Sequence, residues 1–358
     1  MMHKHSDYMH WAKTQSRARY NLATSGVGAF PLRELPELPA LEINGDNSYG
    51  YPPLKAAIAE RHAVDPDCVV TAAGTSMANY LAFATILEAG DEVAIEQPTY
   101  GLLLDALWYV GAKPRPFARE EQAGWAIDPD AVRRAVTPKT RLIILTNLHN
   151  PTSVLTPEPV LREIGEIAAE AGARVLVDEV YLDAVYEDTP RTSFHLGPQF
   201  VVTSSLTKVY GVSGLRCGWI LAEPALAHAM WRLNDLFAAT PVHPGELLSI
   251  AVLRNLDTVR ERSRIVVEAD RRALDEFLDR EHGVAAVRTD WGTTAFLRLV
   301  NGNVDAFAET LRAAHDTSVV PGAFFREPRY FRVGMGCDSE MFAEGLRRLG
   351  LHLRNHIQ

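Results

Sequence analysis

Short apolar runs alternate with helix-like stretches from about residue 49 to residue 223. The apolar residues in each run are consecutive rather than alternating, and the runs cover 92–95, 141–146, 174–177, 200–203 and 218–221. Between them, 76–88 and 157–171 carry apolar residues at three- and four-residue spacing, which predicts amphipathic helices. Strands that are apolar throughout are buried on both faces. The pattern therefore predicts an α/β domain with a mostly parallel sheet flanked by helices.

The pattern changes after about residue 235. A long helical stretch runs from Pro244 towards Arg280, and strand–helix alternation follows it up to a final helix at 339–354. The first 40 residues are rich in Pro and Gly and contain one short helical pattern. We therefore expect an N-terminal arm (1–40) that packs with a smaller α+β C-terminal domain (239–358), and a large domain between them (41–238).

Composition and charge exclude several classes of protein. The 358 residues exceed the usual size of one core, which favours two domains. The net charge of −9 and the absence of a basic run argue against a nucleic-acid partner. The first residues lack the apolar core of a signal peptide, and no stretch approaches the roughly 20 apolar residues of a membrane span. Three widely spaced cysteines indicate neither a disulfide framework nor a metal site, so we expect a cytoplasmic protein.

One lysine lies in a segment suited to covalent chemistry with an aldehyde. The segment 204–219 places Lys208 after hydroxyl residues, follows it with small residues, and puts Arg216 eight positions further on. A lysine that forms an imine has to be partly buried, pre-oriented and lowered in pKa. Ser205 and Arg216 are residue types that donate to a phosphate. An ordinary loop lysine can have the same Ser-x-x-Lys letters. This segment therefore supports covalent chemistry only in combination with the other segments described below.

Two further segments follow predicted strands, where the ligand groups of an open α/β sheet collect. In 71–76, Gly74 precedes Thr75 and Ser76 at a helix start, which suits a phosphate but is also a plain turn with an N-cap. In 147–152, Asn150 can donate to a phenolate oxygen on a ring, although an Asn-Pro turn has the same letters. We interpret His149 as structural rather than catalytic.

A carboxylate and a phenol follow the next predicted strand. Asp178 can pair with a protonated pyridine nitrogen and keep the ring an electron sink. Tyr181, three residues on, can donate to the same phenolate as Asn150. The alternatives are helix capping for Asp178 and a core position for Tyr181. The phosphate loop, the asparagine, the Asp–Tyr pair and the lysine nevertheless follow one another on successive strand ends.

In this order the segments resemble those of fold-type I pyridoxal-phosphate enzymes of the aspartate aminotransferase superfamily (class I/II aminotransferases), over about 48–336. The resemblance implies a seven-stranded type of sheet in the large domain. It implies that Lys208 forms a Schiff base with pyridoxal phosphate and moves the proton, and that Asp178 pairs with the pyridine nitrogen. Asn150 and Tyr181 then hold the ring oxygen. The residues implied to bind the phosphate are Gly74, Thr75, Ser205 and Arg216, with Ser76 adjacent.

The resemblance also implies contacts to the ring face and to the substrate. Tyr100 matches the aromatic residue that stacks on the ring. The alternative interpretation of Tyr100 is an ordinary hydrophobic residue at the start of a helix. Arg332 matches the arginine that binds the substrate α-carboxylate together with Asn150, since a planar guanidinium pairs with a carboxylate through two bonds. The alternative for Arg332 is an ordinary arginine on a surface strand.

Two departures from the family pattern stand out. The usual Asn-Pro-Thr-Gly ends in Ser153 here. The segment before Leu54 is short, and either Tyr49 or Tyr51 corresponds to the tyrosine that reaches the phosphate of a neighbouring subunit in related enzymes. The resemblance implies a homodimer, to which the long helix and 231–237 are candidate contributors.

The expected activity is transfer of an amino group from an L-amino acid to a 2-keto acid. A lyase, a decarboxylase or a cyclising enzyme of the same fold starts from the same chemistry and stays open, because the bond that breaks depends on its alignment with the ring. A non-catalytic pyridoxal-phosphate sensor is the third alternative, and the intact Lys208 and Arg332 count against it. No second arginine is placed for a dicarboxylate side chain, which favours a neutral amino acid with glutamate or 2-oxoglutarate as the other partner. No metal is expected.

Overall fold

The computed structural model describes residues 4–46 and 48–356, so the first three residues of the predicted arm lie outside the described part. Its eleven α-helices are α1 (Asp7–Thr14), α2 (Pro52–His62), α3 (Thr75–Ile86), α4 (Gly101–Tyr109), α5 (Pro129–Ala135), α6 (Glu158–Ala171), α7 (Pro224–Asn234), α8 (His243–Arg254), α9 (Leu256–Arg280), α10 (Val304–His315) and α11 (Ser339–His356). Its strands are β1 (Tyr20–Asn21), β2 (Val69–Ala73), β3 (Glu92–Gln97), β4 (Lys113–Ala118), β5 (Thr140–Thr146), β6 (Arg174–Asp178), β7 (Phe200–Ser205), β8 (Cys217–Leu221), β9 (Val284–Ala286), β10 (Thr294–Leu299), β11 (Thr317–Ser318), β12 (Val320–Pro321) and β13 (Tyr330–Gly334).

A seven-stranded sheet in the order β2-β8-β7-β6-β5-β3-β4 forms the centre of the large domain. β8 runs antiparallel to both its neighbours, and the other neighbouring pairs are parallel. One face packs against α3, α4 and α7, and the other against α5 and α6. The apolar runs read from the sequence all lie in this sheet. The predicted α/β architecture with a mostly parallel, helix-flanked sheet is confirmed.

The edge strand β4 has no counterpart among the predicted runs. Its sequence contains Pro114 and Pro116, and most of its residues are at least partly exposed. Proline has no N–H to donate to a second neighbour, so it is tolerated at the edge of a sheet, where β4 pairs with β3 alone. The apolar pattern fails here because an edge strand is not buried on both sides.

A second sheet has four antiparallel strands in the order β12-β13-β10-β9. It shares a core with α9, α10 and α11. The arm joins this region, because β1 pairs in parallel with β11 and Leu22 is fully buried in the same core. The domain bounds at 40/41 and 238/239 stay a prediction.

The predicted continuous helix from Pro244 towards Arg280 is wrong, because two helices, α8 and α9, cover this stretch. They break at Asn255, whose φ of −119° and ψ of 26° are not helical. Asn255 Nδ2 donates to the carbonyl of Ala251 over 2.9 Å, and such side-chain bonds compete with helix propagation. Within the described ranges no helix, including the 25-residue α9, is long and apolar enough to cross a membrane.

Candidate active site

The carboxyl ends of the parallel strands open into a cavity of about 790 Å³. This is the edge at which open α/β sheets bind ligands. The predicted site residues that line it are Thr75, Ser76, Tyr100, Asn150, Asp178, Tyr181, Lys208 and Arg216. Gly74, Ser205 and Arg332 lie directly behind this lining, in contact with Arg216, Thr75 and Asn150 respectively. The structure therefore brings together all the predicted residues except the two tyrosines at 49 and 51.

Hydroxyl and guanidinium donors gather where β2 meets α3. Thr75 Oγ1 donates to Ser205 Oγ over 2.8 Å, and both residues are buried. Gly74 has a left-handed φ of 79°, and a Cβ at this position would collide with the Arg216 guanidinium. Arg216 Nη2 donates to the carbonyl of Ala73 over 3.0 Å. Together with the free N–H groups at the start of α3, these donors form an anion site that fits a phosphate.

A buried carboxylate lies deeper in the cavity at the end of β6. Asp178 Oδ2 accepts from Asn79 Nδ2 over 2.8 Å, and Oδ1 accepts from the backbone N–H of Val180 over 3.1 Å. Thr203 Oγ1 donates to Asn79 Oδ1 over 2.6 Å, which fixes the orientation of the amide. Burial raises the pKa of Asp178 to about 6, although these bonds and the charge of Lys208 oppose the rise. A cation placed beside Asp178 would stabilise the ionised carboxylate and lower this pKa.

The Lys208 amine lies in the middle of the cavity, between the carboxylate and the arm. Its Nζ donates to Ser25 Oγ over 3.0 Å. Burial lowers the pKa of this amine, and the charges of Arg332 and Arg216 act in the same direction. Ser25 also hydrogen-bonds the hydroxyl of Tyr181, whose pKa is raised by burial. Lys208 therefore combines the burial, orientation and lowered pKa that imine formation requires.

The arginine of β13 is completely buried behind the cavity. Arg332 Nη1 donates to Asn150 Oδ1 over 2.9 Å, and Nη2 donates to the hydroxyl of Tyr8 over 3.1 Å. Its guanidinium carbon lies 5.0 Å from the ring centre of Phe325. Its Nε is buried without a hydrogen-bond partner among the described residues. A donor left unpaired in this way is available to a substrate carboxylate.

Tyr100 lies at the start of α4 and closes the cavity on the arm side. Its ring meets that of Tyr8 at 5.2 Å in an edge-to-face arrangement. Its hydroxyl lies 3.6 Å from the sulfur of Met9. Tyr100 is only partly buried and is in the cavity lining. The ring thus lies where a second planar group can stack on it.

A buried ion pair supports the loop that carries Asn150. Arg119 Nη1 donates to Glu96 Oε2 over 2.8 Å, and both side chains are fully buried. Glu96 Oε1 accepts from the N–H and the hydroxyl of Thr146, each at 2.7 Å. The Thr146 hydroxyl in turn accepts from the N–H of Asn150 over 2.9 Å. This network fixes the backbone of Asn150 through Thr146 and the buried ion pair.

His149 is part of the same support. Its Nδ1 lies 2.6 Å from the hydroxyl of Thr152, and its Nε2 lies 2.9 Å from the carbonyl of Pro98. Burial lowers the pKa of this imidazole well below its ordinary value, and the charge of Arg119 acts in the same direction. His149 is 1% exposed and is not in the cavity lining, which agrees with a structural role.

Ser153 keeps the backbone conformation that favours the glycine of the family pattern. Its φ is 63°. Its Oγ donates to the carbonyl of Thr294 over 2.7 Å, and Thr294 Oγ1 donates to the carbonyl of Pro151 over 3.0 Å. A Cβ on Gly292 would collide with the Ser153 side chain, so that glycine makes room for the serine. The departure thus ties the Asn150 loop to β10 of the small sheet.

The simpler interpretations of several residues are wrong. The N-cap of α3 is Gly74 and not Thr75 or Ser76. Asp178 does not cap an α-helix, since its Oδ1 accepts from Val180 in a loop. Arg332 is 0% exposed and is therefore not an ordinary surface arginine.

Tyr49 and Tyr51 lie outside the cavity lining of their own chain. The Tyr49 hydroxyl lies 3.4 Å from Asp235 Oδ2, and the ring of Tyr51 meets that of His243 edge-on at 4.7 Å. Tyr49 is exposed.

Three residues that contact the site were missed by sequence reasoning: Tyr8, Ser25 and Asn79. Asn79 had a usable signal, because it follows Thr75 by four positions and shares that face of α3. Tyr8 and Ser25 had none, since they lie on the arm, where no strand end or repeated spacing predicts a site. Tyr8 reaches the cavity because α1 packs its ring against Tyr100 and Phe325. Ser25 reaches it because the preceding β1 pairs with β11 and Leu22 is buried in the core around the small sheet.

The assembled groups fit pyridoxal phosphate. The anion site takes its phosphate, and Asp178 offers an anionic oxygen pair now bonded only to neutral donors. A protonated ring nitrogen beside it would offset the burial that raises its pKa. The Lys208 amine lines the same cavity and is the group that would form the imine with the aldehyde of the cofactor. Fold and site together therefore define a pyridoxal-phosphate enzyme of fold type I.

Comparison with known proteins identifies the family. A family model described as aminotransferase class I and II matches residues 33–349, so the chain belongs to that family, whose members depend on pyridoxal phosphate. It is similar to a PLP-dependent aminotransferase from Streptococcus suis, with a TM-score of 0.92, 27% identity and 99% of each chain covered. It is 28% identical to capreomycidine synthase of Streptomyces vinaceus over 96% of this chain and 92% of the relative. It is 26% identical to aspartate aminotransferase of Streptomyces avermitilis over 84% and 79%.

Proposed function

We propose that this aminotransferase moves an amino group from an L-amino acid to a 2-keto acid, with Lys208 as nucleophile and proton carrier. The observation that carries the proposal is the convergence of the Lys208 amine, the Asp178 carboxylate and the Asn150 amide on one cavity. Pyridoxal phosphate, when bound, supplies an aldehyde that accepts the amino group and a protonated ring that withdraws electrons. The chain itself has to hold the ring, hold the substrate and move one proton.

The large domain holds the ring. With the cofactor bound, Asp178 would pair with the ring nitrogen and keep it protonated, while Asn150 and Tyr181 would donate to the ring oxygen. Tyr100 stacks on the ring face. The proposed phosphate ligands are Gly74, Thr75, Ser76, Ser205 and Arg216. The hydrogen bonds that already fix Asp178 and Thr75 support this assignment, because they hold both groups in place before the cofactor binds.

Arg332 and Asn150 hold the substrate α-carboxylate. Arg332 has one unpaired donor at Nε, and its other two nitrogens already bond to Asn150 and Tyr8. A carboxylate that binds here gains a charge-assisted bond to the guanidinium. This fixed end orients the substrate Cα towards Lys208.

Lys208 performs the proton transfer. Burial lowers the pKa of its amine, so a larger fraction is neutral near physiological pH and able to accept a proton. With substrate bound, Nζ would take the proton from the substrate Cα and hold it for its return when the amino group is transferred. One base on one face is sufficient for both transfers.

A neutral amino acid is the proposed substrate class on one side of the reaction. Among the described residues that line the cavity, the arginine is Arg216, and it belongs to the phosphate end. No arginine of that lining is thus placed to bind a second carboxylate. We extend the proposal to glutamate or 2-oxoglutarate as the customary second partner.

Cyclisation with elimination is the second candidate function. The relative similar along 96% of this chain, arm included, is named capreomycidine synthase. The aspartate aminotransferase of S. avermitilis covers only 84% of it. The PLP-dependent aminotransferase of S. suis, however, covers 99%, so full-length similarity alone does not favour cyclisation.

An isotope experiment separates the two functions. Single ¹⁵N-labelled L-amino acids are supplied together with an unlabelled 2-keto acid, and the products are identified by mass spectrometry. Transamination predicts that the label appears in the amino acid derived from the keto acid. Elimination predicts labelled ammonia without need for the acceptor, and cyclisation predicts that the label stays in a rearranged product. Either of the last two results would contradict the first proposal.

A cytoplasmic homodimer is the proposed state of the protein. Exposed apolar side chains, among them Ile43, Leu236 and Val242, lie in 38–46 and 236–242. The residues that flank 236–242 contact the first region, because Asp235 lies beside Tyr49 and His243 beside Gly45. Such a patch is typical of an interface between subunits. Ser76 and Arg216 of the anion site are also exposed, which leaves room for Tyr49 or Tyr51 of a partner. The free thiols of all three cysteines support a reducing compartment.

A further inference from the structure

The arm passes directly over the backbone of Lys208. The N–H of Val27 donates to the Lys208 carbonyl over 2.9 Å. A Cβ on Gly26 would lie 3.0 Å from the same oxygen, so the two backbones are in close contact. On the other side, Thr293 Oγ1 donates to the carbonyl of Ser25 over 3.0 Å. The position of Ser25 is therefore fixed from both the lysine segment and the small sheet.

The Ser25 hydroxyl joins two groups of the site. It accepts from Lys208 Nζ over 3.0 Å. Its own proton is then free to be donated, and the bond to the Tyr181 hydroxyl takes it. The side chain is buried and lies in the cavity lining. The Lys208 amine, the Ser25 hydroxyl and the Tyr181 phenol are thus neighbours in the cavity lining.

We propose that Ser25 is a positioning residue for the proton transfer by Lys208. When a substrate amino group has displaced Lys208 from the cofactor, the released amine has to stay beside the substrate Cα instead of adopting other rotamers. Ser25 Oγ offers the acceptor that holds it there. This inference rests on the proposed transamination, and it gives the arm a part in the chemistry that its sequence did not suggest.

The hydrogen bond from Lys208 to Ser25 should affect the pKa of the lysine amine in a defined direction. An acceptor bonded to Nζ stabilises the ammonium form more than the neutral amine, because a charged donor makes the stronger bond. The other titratable or charged groups that face Lys208 are Tyr8, Asp178, Tyr181, Arg216 and Arg332, and of these Tyr181 also bonds to Ser25. Loss of the hydroxyl therefore lowers the pKa of Lys208 and releases its rotamers.

The test compares Ser25→Ala with Ser25→Thr, which restores a hydroxyl. Ser263→Ala is the matched control, because this buried serine donates only to the carbonyl of Val259 in its own helix. In the cofactor-free proteins, the pH dependence of Lys208 acylation, localised by mass spectrometry, gives the pKa of the amine. In the loaded proteins, kcat, KM and the isotope effect of Cα-deuterated substrate are measured.

We expect the apparent pKa of Lys208 to fall by about one in Ser25→Ala. We expect kcat to fall about tenfold or more with little change in KM, and the deuterium isotope effect to rise as proton transfer limits the rate. Ser25→Thr should recover both. An unchanged amine pKa together with an unchanged isotope effect would overturn the inference, even if the melting temperature dropped. The acylation experiment needs no turnover, so a failure of the proposed transamination is distinguishable from a failure of the Ser25 contact.

Discussion

The two halves of the site are built in different ways. The half that faces the cofactor, with Asp178 and Lys208, follows the ends of neighbouring parallel strands in one rigid sheet. The half that faces the substrate combines Tyr8 and Ser25 of the arm with Arg332 of the small sheet. The first half is held by bonds within one domain, and the second depends on how separate segments pack together. Changes in the two halves should therefore affect different measurable quantities.

The largest effect is expected for the residue between the halves. Lys208→Ala removes both the nucleophile and the proton carrier, so turnover should fall at least about 10⁴-fold. Substrate binding, measured by calorimetry in the cofactor-loaded variant, should persist because Arg332 is intact. Lys139→Ala, an exposed lysine of a turn, serves as the control. Rapid transamination by Lys208→Ala would contradict the assignment.

A change confined to the substrate half should leave cofactor binding intact. Arg332→Lys keeps the charge but loses the planar guanidinium, and with it the unpaired Nε donor and the bonds to Asn150 and Tyr8. We expect kcat/KM for the amino acid and the keto acid to fall about a hundredfold, while the dissociation constant of pyridoxal phosphate is unchanged. Arg298→Lys on β10, where the arginine pairs with Glu121, controls for a general effect on the small sheet. Equal losses of substrate and cofactor affinity would erase the distinction between the halves.

In the half that faces the cofactor, burial of Asp178 should make the stability of the cofactor-free protein depend on pH. Asp178 has its pKa raised to about 6 in the folded protein, from an ordinary 3.8. The folded state therefore binds more protons than the unfolded state between these values, and the contribution of Asp178 to stability is lost as pH rises from about 4 to 6.

Asp178→Asn removes this titration. In the cofactor-free proteins, the free energy of unfolding of the variant relative to the wild type should rise by up to about 3 kcal/mol between pH 4 and pH 7. Denaturant titrations at four pH values across this range measure the difference. A difference that stays constant with pH would show that Asp178 is not strained by burial.

The smallest effect is expected where the two halves are tied together. Ser153→Ala keeps the left-handed conformation and loses the bond to Thr294, which should cost about 1 kcal/mol of stability. Ser153→Gly also loses the bond but relieves the backbone, so it should be within about 1 kcal/mol of the wild type. In both variants we expect a modest rise of KM, because the Asn150 loop is less firmly attached to β10. Equal stability of the alanine and glycine variants would contradict the expectation that the left-handed backbone at position 153 is strained.

The sequence was informative where chemistry and regular structure coincide. Asp178, Asn150 and Lys208 follow buried strands, and the apolar runs of those strands are unmistakable, so both the sheet and the strand-end residues could be predicted. The edge strand β4 and the break at Asn255 escaped, because prolines at a sheet edge and a local side-chain bond are not expressed in hydrophobic periodicity. Tyr8 and Ser25 escaped for another reason. Their place depends on tertiary packing of the arm, which no local pattern encodes.

The most direct test of the account is the visible absorption of the cofactor-loaded protein mixed with single amino acids, with no keto acid present. The account predicts that an effective amino acid bleaches the band of the bound cofactor in proportion to the enzyme, and that a 2-keto acid restores it. Lys208→Ala should show no such cycle. A band that persists while ammonia, carbon dioxide or a rearranged product accumulates would contradict transamination.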